Sequence, residues 1–182
     1  QNLCTGAAPV PLTGTGVVIG GNGVYAYQWQ SSTNGGTTWT NVLSGTNLTV
    51  YDMEFKPGNT DVIYACSANN LFMSTNGGTS FTNISAAAGT PTSGGLRRAL
   101  AVTAANPNLV YLLIARSDNG GFHSFWKSTD AGATFTRTLD GVNGTLNLLG
   151  WSSNGSDISA GGQGWYDLAV AADPQNENVV FV

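Results

Sequence analysis

Three copies of one octapeptide constrain the fold of this chain more than any other feature. They read Ser32-Thr-Asn-Gly-Gly-Thr-Thr-Trp39, Ser74-Thr-Asn-Gly-Gly-Thr-Ser-Phe81 and Ser128-Thr-Asp-Ala-Gly-Ala-Thr-Phe135, and they start 42 and 54 residues apart. The Asn or Asp at the third position can fold back onto following backbone N–H groups as an Asx-type turn. The Gly at the fifth position admits a positive φ. The closing Trp or Phe is expected to pack on the sheet and pin a hairpin register. These roles make Ser32, Asn34, Gly36, Trp39, Ser74, Asn76, Gly78, Phe81, Ser128, Asp130, Gly132 and Phe135 structural residues.

A second unit repeats out of phase with the first. Asp52-Met-Glu-Phe-Lys-Pro57 followed by Val62-Ile-Tyr64 matches Ala99-Leu-Ala-Val-Thr-Ala104 followed by Leu109-Val-Tyr111. It matches again as Asp167-Leu-Ala-Val-Ala-Ala172 followed by Val179-Val-Phe181. Asn-Gly, the strongest short hairpin signal, stands at Asn22, Asn34, Asn76, Asn119, Asn143 and Asn154. No stretch carries a helical period of apolar residues, and the Ala86–Ala88 run meets Gly89 and Pro91 at once. Each period therefore holds strand, turn, strand, strand, octapeptide turn, strand. Four antiparallel strands per repeat predict an all-β chain built of β-propeller blades.

Composition narrows the function classes. Charged residues make up 9% of the 182 residues, with no Asp, Glu, Lys or Arg from Gln1 to Tyr51 or from Val62 to Leu96. Six basic residues against ten acidic ones leave no positive face for phosphate neutralisation, so a nucleic-acid partner is excluded. Gly, Asn, Thr or Ser interrupts every apolar run well short of the ~18 residues of a membrane span. Cys4 and Cys66 are too few for a disulfide scaffold and leave one bridge open as a possibility. Neither has metal-type spacing, and no metal or cofactor is expected.

The octapeptides resemble the Asp-box, or BNR repeat, of sialidase, xyloglucanase-type and sortilin-type propellers, over roughly Ser31 to Val182. In those families the box lies on the outer rim of a blade, away from the central channel. The resemblance thus implies a structural role for Asn34, Asn76 and Asp130. Gly164-Trp-Tyr-Asp-Leu-Ala-Val-Ala-Ala-Asp-Pro174 is similar to blade starts in large surface proteins of Bacteroidota. Residues 1–43 also resemble the Ig-like repeats of that group. The expected organisation is an Ig-like module or partial blade over 1–50, a blade over 51–95, a blade over 96–160 and the start of a further blade over 161–182.

The resemblance gives little support to a sialidase, whose arginine triad and early Arg-Ile-Pro segment are absent. Glycoside hydrolysis needs two carboxylates about 5–9.5 Å apart. The candidates are Asp52 and Asp167, which follow Tyr51 and Tyr166 at equivalent blade starts and could face one channel. The bland alternative is that each Asp only opens a strand. Blade starts are 47 and then 68 residues apart, counted at Phe55, Val102 and Val170, so about 21 residues are inserted between 140 and 164. Long loops on a rigid scaffold tend to carry function. Trp151, Asp157, Trp165 and Tyr166 are therefore the candidate ligand-binding residues, although core burial of both indoles is the expectation that residue statistics favour. His123 is read as a strand residue.

The reading is a non-catalytic extracellular or cell-surface module for adhesion, glycan or protein binding. Its alternatives are a xyloglucanase-like glycoside hydrolase and a receptor-type propeller taking peptides. Expected partners are the remainder of a longer chain or neighbouring subunits that complete the propeller, together with polysaccharide or surface glycan. Fewer than three full blades cannot close a ring, so the chain is expected to be a segment of a larger secreted protein.

Overall fold

The computed structural model describes residues 26–46, 48–151 and 161–182. Asp157, Cys4 and most of the candidate Ig-like segment lie outside the described residues. Strands β1 (Ala26–Ser31) and β2 (Thr40–Thr46) form a hairpin. A four-stranded antiparallel sheet follows: β3 (Val50–Phe55), β4 (Ile63–Ser67), β5 (Leu71–Ser74) and β6 (Thr82–Asn83), in that spatial order. A second such sheet holds β7 (Gly95–Val102), β8 (Val110–Arg116), β9 (Phe122–Ser128) and β10 (Thr136–Asp140), again in chain order. The short pair β11 (Ala171–Ala172) and β12 (Val180–Phe181) closes the series. The described chain is all-β, with two complete four-stranded blades and no closed ring.

The blades stack face to face because their middle strands are apolar on both sides. In β8, Val110, Leu112 and Ile114 point toward the first blade and, with Leu100 of β7, form one core cluster with its Tyr64, Cys66 and Leu71. The alternate residues Tyr111, Leu113 and Ala115 meet Leu168, Val170 and Ala172 of the following segment. A strand buried on both faces reads as a continuous apolar run, as Leu109–Ala115 does in the sequence. The first blade repeats the arrangement, with Ala65 and Phe72 packed against Leu43 of the β1–β2 hairpin. Innermost strands of successive units lie side by side, β3 next to β7 and β7 next to β11.

Each octapeptide joins the last two strands of its unit: β1 to β2, β5 to β6 and β9 to β10. The three turns share one hydrogen-bond pattern. The leading Ser hydroxyl donates to the Asn or Asp side chain and accepts the N–H of the glycine four residues on, at 2.8, 2.9 and 2.8 Å. The Asx oxygen accepts the N–H of Thr38, Ser80 or Thr134 at 2.9–3.0 Å. Asn34 and Asn76 donate their amide to the facing hydroxyl, whereas the Thr134 hydroxyl donates to Asp130 at 2.6 Å. That hydroxyl, with the Thr134 N–H and Ser128, holds the Asp130 carboxyl down to about 2.

The aromatic that ends each octapeptide does not behave uniformly. Phe135 is buried between the two blades and Phe81 is partly buried against the hairpin. Trp39 stays 58% exposed, its indole donating to the Gly36 carbonyl at 3.1 Å. The ring packs toward the preceding unit in each blade. No described sheet lies on that side of β1–β2, so Trp39 does not pack as the sequence suggested.

Ala131 has φ 58°, where Gly35 and Gly77 hold 67° and 66° in the other two copies. A Cβ in this region costs about 1–2 kcal/mol, partly offset by the greater unfolded-state freedom of glycine. Ala131→Gly is expected to stabilise the protein by about 0.5–1 kcal/mol, read as a higher urea midpoint at unchanged slope.

Candidate functional site

Two depressions hold the carboxylates that the sequence singled out, one along the innermost strands and one beside the 140–164 loop. The first is a cleft of about 280 Å³ lined by Tyr51, Asp52 and Glu54 of β3, Arg97 to Leu100 of β7, and Leu168 to Val170. Three successive units meet there. Asp52 spans two of them: one carboxylate oxygen accepts the Met53 N–H at 2.8 Å and the other the Leu100 N–H at 2.7 Å. Both oxygens are thus engaged by backbone donors, which suits an inter-blade clamp.

Arg97 ties in the third unit. Its guanidinium donates to the Tyr166 carbonyl at 2.9 Å and lies 5.4 Å from the centre of the Tyr51 ring. Arg98 points between the blades and is fully buried. It donates to the Ala68 carbonyl at 2.9 Å and to the Pro91 carbonyl, while its second terminal nitrogen has no partner. Burial lowers its pKa to about 10. Cys66 on the same seam is a buried free thiol, and burial pushes it upward.

Glu54 sits two residues from Asp52 on one face of β3, so the cleft holds two carboxylates. Burial first, and then the Asp52 charge, raise the Glu54 pKa. The folded state therefore binds its proton more tightly than the unfolded chain does. This contribution favours folding below the unfolded value of about 4.3 and is lost as pH rises through the folded value. Glu54→Gln is expected to raise stability at pH 7, by less than about 1 kcal/mol for a half-exposed group, and to leave it unchanged at pH 4. Thermal melts of both proteins at the two pH values check this.

The second depression, of about 260 Å³, is lined by Leu148, Leu149, Gly150, Trp151, Gln163, Gly164, Asp167 and Val182. It lies apart from the cleft that holds Asp52, so the two carboxylates singled out by sequence line different hollows. Trp151 is 63% exposed, Trp165 60% and Tyr166 71%. Neither indole caps the core, contrary to the statistical expectation. Trp165 and Tyr166 form a tilted pair with ring centres 5.5 Å apart, and they immediately precede Asp167 in the chain.

Asn147 holds this loop in place. Its side-chain oxygen accepts the Phe122 N–H at 2.8 Å and the Leu149 N–H at 3.2 Å, and its amide donates to the Gly161 carbonyl at 3.0 Å. A bridge between Gly150 and Gly162 ties the two arms together. The approach is too close for side chains, since a Cβ on Gly162 would lie 2.0 Å from the Leu149 carbonyl oxygen. His123 is a half-buried strand residue bonded to the Ser124 hydroxyl at 2.7 Å, and burial lowers its pKa.

Sequence reasoning missed Glu54, Arg97 and Asn147. The alternation of Asp52 and Glu54 could have marked the carboxylate pair. Nothing local distinguishes Asn147 among so many asparagines, because its partners lie 25 and 14 residues away.

Stacked four-stranded blades with adjacent innermost strands define a protein of the β-propeller class. Comparison with solved structures agrees with this. An ancestral GH74 enzyme matches over 83% of the chain with a TM-score of 0.54 and 21% identity. The likeness is one of fold, and this chain spans 18% of that enzyme's chain. Residues 1–64 match the family model described as a domain of unknown function (DUF8696). No curated protein matches the chain.

Proposed function

We propose that the chain is a non-catalytic, extracellular Asp-box propeller segment that binds glycan on the face formed by Trp151, Trp165, Tyr166 and Asp167. The observation that carries this is the exposure of three large aromatic rings on a loop whose backbone is pinned by Asn147. Exposed rings held on a fixed frame present apolar faces at little entropic cost on binding, and sugar C–H faces stack on such rings. Asp167, exposed beside Trp151, supplies a hydroxyl acceptor. On this reading residues 26–46 belong to a partial blade, since their octapeptide sits where both full blades carry theirs. The rest of the ring comes from further chain or from neighbouring subunits.

Trp151→Ala is expected to weaken retention in polysaccharide affinity gels at least ten-fold with no change in melting temperature, because the ring is exposed. Unchanged retention on every glycan that the parent binds would remove Trp151 from the site.

A glycoside hydrolase is the second reading, favoured by the GH74 enzyme among the structural neighbours. Two features weigh against it. Asp52 spends both oxygens on backbone donors, and Asp167 lines a different depression.

A further inference from the structure

Arg97 reaches across two blade boundaries at once. Its guanidinium donates to the Tyr166 carbonyl at 2.9 Å and to the Trp165 carbonyl at 3.5 Å, and it lies 5.4 Å from the centre of the Tyr51 ring. Tyr51 belongs to β3 of the first blade and Arg97 to β7 of the second, while Trp165 and Tyr166 precede β11 of the next unit. The segment 163–170 follows the same path. Gln163, Gly164 and Asp167 line the Trp151 depression, and Leu168 to Val170 line the cleft of Asp52 and Glu54. We propose that Tyr51, Arg97, Tyr166 and Trp165 form one binding surface across three units, and that its ligand is the interior of a long, neutral polysaccharide chain. The proposal rests on the glycan-binding reading and adds to it a length and a charge class.

The spacing of the contacts sets the length. Tyr51 is 37% exposed and Tyr166 71%, so rings stand open at both ends of the Arg97 bridge. On its other side Tyr51 lines a further hollow of about 280 Å³, shared with Ser44, Ser67, Asn69 and Asn70. Hollow, cleft and depression thus follow one another along the series of units. Tyr51 stands between the first two, and the segment of Trp165 and Tyr166 runs between the last two. A single sugar is about the size of one of these rings, so only a chain of several sugars touches Tyr51 and Trp165 together.

The lining sets the charge class. Among the described residues no charged side chain lines the first hollow. In the cleft, Asp52 and Glu54 face the single guanidinium of Arg97, because the Arg98 side chain is buried in the seam between the blades. A polyanion would meet this excess of negative charge, which already raises the Glu54 pKa through Asp52. Neutral hydroxyls find both kinds of partner there, the Arg97 N–H groups as donors and the Glu54 carboxylate as acceptor. Arg97 is also a positioning residue, since its planar fork holds the main chain that carries Trp165 and Tyr166 while it lies over the Tyr51 ring.

The test uses the full chain, the neutral polysaccharide that it retains best, and oligosaccharides of increasing length cut from that polymer. Affinity of the parent protein is expected to rise with length until the oligosaccharide spans Tyr51 to Trp165, and then to level off. Tyr51→Ala is expected to lower affinity for the longest oligosaccharide about ten-fold, the ordinary loss for an aromatic anchor, and to leave that for the disaccharide unchanged. A variant that simply folded badly would lose both. Tyr51→Phe keeps the ring and is expected to bind as the parent does. Arg97→Gln is expected to weaken binding at every length, because it releases Trp165 and Tyr166 together with Tyr51. A carboxylated form of the same polysaccharide is expected to bind at least ten-fold more weakly. Affinity independent of length, an equal loss at all lengths for Tyr51→Ala, or equal or tighter binding of the carboxylated polymer would overturn the proposal and leave glycan binding at Trp151 standing. Retention of no polysaccharide at all would count against the glycan-binding reading itself and would remove this proposal with it.

Discussion

Arg98→Ala is expected to lower stability by about 3–5 kcal/mol. The side chain fills the seam between the two blades and is fully buried. Its removal leaves a cavity, and it strands the Ala68 and Pro91 carbonyls, which the guanidinium now satisfies. Against this, the buried cation faces no carboxylate within ion-pair distance among the described residues, and one of its nitrogens is unpartnered. Its removal therefore recovers some desolvation energy. Arg98→Met separates these effects. It keeps most of the volume and discards the charge, so it is expected to cost about half as much as Arg98→Ala. Melting temperature reads both, with a fall of roughly 10 °C expected for the alanine variant. Equal losses for Ala and Met would place the whole effect in the two carbonyls.

The second large effect concerns the loop. Asn147→Ala deletes one donor and an acceptor of two N–H groups at a site 3% exposed, at a cost of about 2–3 kcal/mol. Only part of that loss should appear in global melting, since the bonds serve a loop and one end of β9. Hydrogen exchange is expected to accelerate at Phe122 and Leu149, whose N–H groups lose their acceptor, while the β4 and β8 amides stay protected. Glycan retention should fall with it, because Trp151 stands four residues away on the released arm. Asn147→Asp keeps the acceptor but loses the donor to Gly161 and buries a charge, so it is expected to behave much like the alanine variant. Unchanged exchange at Phe122 would show that the loop does not depend on Asn147.

The architecture was legible because its determinants are local. The octapeptide specifies its own turn through bonds spanning two to four residues, so three copies announce three hairpins. The runs at Val62–Cys66 and Leu109–Ala115 announce strands with both faces covered. Side-chain destinations depend on neighbours that the local pattern does not reveal. Trp39 and Phe135 occupy the same position of the repeat, yet only Phe135 has a described blade to pack against. Asp52 looked like a channel carboxylate, but its partner is the Leu100 N–H, 48 residues away. Trp151 and Trp165 turn outward on a loop whose path is held by long-range partners, the Asn147 bonds and the Gly150–Gly162 bridge, which no local pattern announces. The candidate loop was visible as an insertion of about 21 residues, but its working face was not.

Binding without hydrolysis is the central claim, and one paired measurement tests it most directly. The full chain is incubated with a panel of soluble β-glucans and other polysaccharides, and both retention and release of reducing ends are followed on the same samples. Retention by at least one polysaccharide with no release from any is the predicted result. Release that Asp167→Asn abolishes would contradict the account and make the chain a glycoside hydrolase.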